Sequence, residues 1–112
     1  MTRPAAIDER LRHFPTILSR WRGGHARIWE LTTSHATLTI RVEIPGRHGN
    51  LRVACLGPLF IQGPYEWSNC DLRVDWDGTS FVVYDDAAGL EVVTESVEIA
   101  ENRKPLNVFG LK

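Results

Sequence analysis

Five aspartates crowd one short stretch of the chain: Asp71, Asp75, Asp77, Asp85 and Asp86. Neighbouring carboxylates can do two kinds of chemistry. As a close pair they push their proton affinities apart and serve as acid and base. As hard oxygen ligands they hold Mg²⁺ or Ca²⁺. The run Asp75-Trp76-Asp77-Gly78-Thr79-Ser80 opens like a calcium loop. Its twelfth position is Asp86, where such a loop needs glutamate, and Val82 and Val83 fill its latter half. The alternation of Asp71, Arg73, Asp75 and Asp77 with Leu72, Val74 and Trp76 fits a strand instead. These acids therefore read as the outer, solvated face of a strand and the turn after the next one. Such a face suits a basic protein partner, a nuclease for example, drawn in by charge.

Other reactive side chains lack a working arrangement. His13, His25, His35 and His48 lie too far apart in sequence for a metal site on one helix or strand. Cys55 and Cys70 form no CxxC pair, and both fall on the inward side of alternating strands, so two reduced, buried thiols are expected. No serine sits in a nucleophile elbow. The glycines of Pro45-Gly46-Arg47-His48-Gly49-Asn50 do not stand between a strand and a helix, so they make no phosphate cradle. That segment is a hairpin loop, with Arg47 and His48 as the contact candidates at its tip. No catalytic residue, metal or cofactor is assigned.

Tyr65 and Trp67, in the loop after Gly63-Pro64, are candidates for contact with another protein. Large rigid rings bury much area at little entropic cost. Stacking on nucleic-acid bases would need flanking Arg or Lys, whereas Glu66 and Asp71 flank Trp67. Net charge is −1. Residues 1–60 carry nine arginines against four acids, and residues 61–112 carry four basic side chains against ten acids. Pairing between the two halves is the plain expectation; an acidic face for a basic partner is the sharper one. Nucleic acid is disfavoured because the arginines are scattered over helix, loop and strands.

The elements that hold these residues follow from spacing. Ile7, Leu11, Phe14 and Leu18 recur at helical period, so a helix is expected over about 4–22, with Pro4 in its first turn. Pro15 interrupts it and predicts a kink or a division. Gly23-Gly24 ends it. Strands are expected at 27–32, 38–44, 51–55, 70–77, 81–84, 90–93 and 97–99, with a brief edge strand at Leu59-Phe60-Ile61 and a tight turn at Ser34-His35. Gly57-Pro58 and Ser96 divide the neighbouring runs, and Asp77-Gly78 is a hairpin turn. The residues from Glu101 to Lys112 read as a tail, with Leu106, Val108 and Phe109 available to dock.

The whole is one α+β domain over 1–112: an N-terminal helix packed on a curved, mostly antiparallel meander of six to eight strands spanning about 27–100. A small closed barrel capped by the helix is the runner-up. Functionally the chain reads as a non-enzymatic protein-binding module. The alternatives are a ligand-binding protein or enzyme with a pocket in the curved sheet, and a structural protein that pairs with its own copies. No apolar leader or membrane-length run is present, so a cytoplasmic location is expected.

Overall fold

The computed structural model describes residues 5–32 and 36–102. Helix α1 spans Ala5–Ser19. Seven strands follow: β1 His25–Thr32, β2 Thr37–Glu43, β3 Asn50–Gln62, β4 Glu66–Trp67, β5 Arg73–Trp76, β6 Phe81–Asp85 and β7 Leu90–Asn102. They form one sheet in the order β4-β1-β2-β3-β7-β6-β5, every pair antiparallel. The sheet curls into a half-barrel with α1 packed on it, which is the expected α+β architecture. It is not the closed barrel. Among the described residues β4 and β5 are the sheet's edges and do not pair with each other.

Loop contacts bridge the open seam. Gly23 N donates to Cys70 O (2.8 Å), and Cys70 N donates to Gly24 O (3.0 Å). Gly24 also lies close against β2, where a Cβ would meet Glu43 O at 2.8 Å.

Alternation built the inner wall. Leu38, Ile40 and Val42 of β2 stand opposite Cys55, Val53 and Leu51 of β3, all at most 1 % exposed. On the other side Val83 and Val92 pair across β6 and β7. Phe14 and Leu18 of α1 complete the core.

Several boundaries correct the reading from sequence. Helix α1 is the single expected helix and runs through Pro15, which lies exposed, but its end differs. It ends at Ser19, after which Arg20, Trp21 and Arg22 donate to the carbonyls three residues back. Gly57-Pro58 does not break β3. A bulge between Pro58 and Phe60 absorbs the irregularity, and Pro58 lies beyond the reach of β2, whose pairing stops at Leu56, so no ladder bond is lost on that side. Ser96 does not divide β7, which runs to Asn102 and so takes in the first two residues of the expected tail. β5 is shorter than expected, since Cys70, Asp71 and Leu72 lie in the loop before it, although Cys70 and Leu72 are buried as foreseen. Pro4, Ser34-His35 and the docking residues Leu106, Val108 and Phe109 lie outside the described residues.

Both cysteines are free thiols in the core. Burial pushes Cys55 up to about 12. Burial, with the charge of Asp85 behind it, pushes Cys70 up to about 11. A thiol-reactive dye is therefore expected to leave the folded protein unlabelled at pH 8 and to label both cysteines once denaturant is added. In the unfolded chain the thiols ionise near the ordinary value of about 8.5. The folded chain keeps those protons, so its stability falls as pH rises above about 9. Denaturation midpoints at pH 7.5 and pH 10, with Cys55→Ser/Cys70→Ser as control, check the sign.

Candidate functional site

The five aspartates part company in the folded chain. Asp85 is 1 % exposed, so it is not on the outer face, a correction to its expected place. Its parity along β6 is that of Phe81 and Val83, both buried, which turns the side chain inward. There its Oδ2 accepts from Trp67 Nε1 (2.8 Å) and from Asp71 N (2.8 Å). Asp71 accepts from Arg22 Nε and Arg73 NH2, both at 3.1 Å. Partial burial opposes its charge, yet the bonds from Arg73 and Arg22 outweigh this and hold it below the usual carboxylate range. Asp77 shapes the hairpin turn, accepting from Thr79 N (2.9 Å) and Ser80 N (2.8 Å). Those two bonds hold its carboxyl below the ordinary value. Asp75 and Asp86 remain exposed on the surface.

The charge asymmetry along the chain is partly cancelled within the fold. Arg20 pairs with Glu101, Arg22 with Asp71 and Arg27 with Glu66, each joining the basic half to the acidic half. Such surface pairs contribute little stability individually.

Apolar exposure has a sharper distribution. The exposed large hydrophobic side chains among the described residues are Trp29, Leu31, Leu59, Phe60, Ile61 and Tyr65. Three sit together at the end of β3. That end overhangs β2, which is seven residues long against thirteen. Tyr65 O accepts from Ile28 N (2.8 Å), which places Tyr65 beside Trp29. Ala36 O accepts from Gly57 N (2.7 Å), which places the end of the β1–β2 hairpin, with Leu31, beside the same part of β3. Leu59, Phe60 and Ile61 thus share the overhanging end of β3, with Tyr65 three residues beyond it, while Trp29 and Leu31 stand on β1, two strands away.

This end joins the acidic strand through the ladder. Phe60, Val93, Val82 and Asp75 stand in one cross-strand row, and Gln62, Glu91, Tyr84 and Arg73 in a second. Three strand spacings, about 14 Å, separate Phe60 from Asp75. Tyr65 belongs to the apolar end with 68 % exposure. Trp67 is half-buried: it sits in β4, packs on the core and holds Asp85 through its ring nitrogen. Its main role here is to close the seam.

Arg47 and His48 lie at the opposite end of β3. Arg47 stacks over the Trp21 ring at 5.1 Å and donates to Arg20 O, so its head is engaged within the fold. His48 is exposed. The two line an open groove of about 380 Å³ with His25, Glu43, Ile44 and Pro45. Among the described residues no group of three or more His, Cys, Asp or Glu side chains is placed to hold a metal ion. None of the described helices is long and apolar enough to cross a membrane.

The chain matches no family model, no curated protein and no solved structure.

Trp29, Leu31 and Leu59-Phe60-Ile61 were not singled out as contact residues from sequence. The one usable signal was the apolar run itself, bracketed by Gly57-Pro58 and Gly63-Pro64.

Proposed function

We propose that this protein is a non-enzymatic binding module that recognises another protein through the apolar end of its sheet. Phe60, Ile61, Leu59 and Tyr65 form the centre of the contact, and Asp75 and Asp86 form its charged rim. The observation that carries this reading is the run of three exposed large hydrophobic side chains, Leu59, Phe60 and Ile61, on the part of β3 that overhangs β2, with exposed Tyr65 just after it. Charged rims set the rate of encounter, whereas buried apolar anchors set how long a complex lasts. The acidic strand thus steers basic partners toward the apolar end without forming the core of the contact.

A photo-crosslinking residue tests this in the cells the protein comes from. Placed at position 60 or 65, it is expected to trap a protein of defined mass. Placed at position 12, on the exposed side of α1, it is expected to trap none. Equal labelling at 12 and 60, or none at 60, would overturn the reading. With the trapped partner in hand, Asp75→Asn/Asp86→Asn should slow association at low salt and leave the dissociation rate nearly unchanged.

A further inference from the structure

Strand pairing gathers three arginines that the sequence keeps apart. Arg27 of β1 stands opposite Arg41 of β2, and Arg41 stands opposite Arg52 of β3, in one cross-strand row. Their neighbours along the strands, Ala26, Ile40, Val42, Leu51 and Val53, are at most 1 % exposed and line the core. Alternation therefore puts the arginine row on the outer face of the sheet. Like charges directly opposite each other oppose pairing, and here two such pairs adjoin. Two carboxylates answer the three cations: Glu66 lies 3.8 Å from Arg27, and Glu43 lies 3.2 Å from Arg41. Arg52 is exposed and makes no ion pair among the described residues. The row so keeps an excess of positive charge.

Trp29 stands over this row. It occupies the bulge of β1 between Ile28 and Glu30, and the Arg41 guanidinium lies 4.3 Å from its ring centroid. The Arg41 side chain is only 15 % exposed, and its Nε is buried without an acceptor. Trp29 itself is 53 % exposed. One side of the ring is thus backed by a cation while much of the rest is open to solvent. Arg27, with 41 % of its side chain exposed, reaches solvent two residues away along the same strand.

We propose that this face binds nucleotides, with phosphate on the arginine row and a base on the open side of Trp29. The ligand is a free nucleotide or a unit of a single strand. Guanidinium groups recognise phosphate oxygens through paired N–H donors. An aromatic ring takes a base by its π-face whatever the base is. An inorganic anion would leave the ring unused, and a neutral aromatic would leave the arginines unused. A nucleotide uses both. Trp29 also has the flanking arginines that Trp67 lacks. The next row toward the apolar end, Glu30, Thr39, Ala54 and Glu98, carries acids on both flanks, which confines phosphate to the arginine row. This surface is separate from the one proposed for protein partners, since Phe60 lies eight residues beyond Arg52 along β3, about 26 Å.

Fluorescence polarisation of a labelled oligothymidylate, read against the full chain over a range of salt, tests the proposal. Binding at low salt is expected, with log K falling against log salt at a slope of about −2 for three arginines on a single strand. Trp29→Ala should weaken binding by about tenfold or more and leave the slope unchanged, whereas Trp29→Phe retains most of it. Arg52→Ala should weaken binding and bring the slope to about −1.4. Arg12→Ala removes the same charge from the exposed side of α1 and should change neither. Urea midpoints report whether the variants fold; should Trp29→Ala not fold, Arg52→Ala against Arg12→Ala decides. Competition by thymidine monophosphate points to a free nucleotide, and binding of the strand alone points to single-stranded nucleic acid. No binding at low salt overturns the proposal, as does an equal loss in Arg12→Ala and Arg52→Ala. Binding that a folded Trp29→Ala leaves intact overturns it too, because any polyanion would then satisfy the row.

Discussion

Replacing Phe81 by alanine is expected to destabilise the protein by about 3–5 kcal/mol, the largest loss from any single truncation in this core. Phe81 begins β6 and is 1 % exposed. Its ring meets the edge of Trp76 at 5.1 Å and 70°, and that of Phe14 at 6.3 Å and 64°. The Arg10 guanidinium lies 5.6 Å from its centroid. One side chain therefore joins α1 to β5 and β6. Arg10 carries the join further, since it also donates to Val97 O and to Ser96 Oγ in β7. Truncation opens a cavity bounded by a helix and two strands that cannot all move inward together. Part of the loss is the edge-to-face contact with each aromatic neighbour, about 0.5–1.5 kcal/mol apiece. A domain of ordinary stability, about 5–15 kcal/mol, loses a third or more of its margin. Urea denaturation measures this directly. Phe81→Leu, which refills most of the space, should cost only about 1–2 kcal/mol. A loss below about 1 kcal/mol for the alanine variant would show that helix and sheet are held together elsewhere.

The places where sequence reading succeeded and failed have physical causes. Alternation over 38–44 marked a half-buried strand because one face of β2 lies on the core, and β2 forms at Thr37–Glu43. Asp77-Gly78 marked its turn because aspartate supplies the acceptor for the next amides and glycine the backbone freedom. The errors fall on the longest ladder. β3 and β7 pair along nearly their whole length, and that cooperative pairing carries both chains through Gly57-Pro58 and Ser96, each a fair local signal for a break. Local propensity was outweighed by a partner some forty residues away, which no window along the chain displays.

The same limit hid the apolar end. A run of Leu59-Phe60-Ile61 is compatible with burial or exposure. What exposes it is the mismatch between β2 and β3 in length, a property of the pairing and not of either strand. Position 85 shows the reverse failure. A carboxylate beside Asp86, just before Gly89, has every local mark of a solvated turn residue. Only the return of the 63–72 loop across the seam supplies the donors that draw it inside.

Asp85→Ala should accordingly rank next in effect, at about 3–4 kcal/mol. One oxygen of Asp85 holds both Trp67 Nε1 and Asp71 N. Hydrogen bonds to a charged group contribute about 1.5–3 kcal/mol each, and a donor left without a partner keeps its desolvation cost. Alanine removes both bonds at once. Asp85→Asn distinguishes charge from hydrogen bonding, because the amide oxygen can occupy the Oδ2 position and keep both donors satisfied. Its cost should be nearer about 1 kcal/mol. The two variants also separate in a local readout. Trp67 is half-buried and its indole nitrogen is held in the wild type, so loss of the acceptor frees the ring and shifts its fluorescence to the red in alanine but little in asparagine. This matters beyond stability. The segment from Gly63 to Leu72 carries Tyr65, a residue of the proposed contact surface, and Asp85 fastens that segment to the body of the sheet. Tyr65 should therefore lose its fixed place in Asp85→Ala while Phe60, held in β3, keeps its own. Crosslinking through position 65 should drop in that variant and crosslinking through position 60 should persist. If both drop together, the whole end of the sheet has loosened and Asp85 supports more of the fold than the seam.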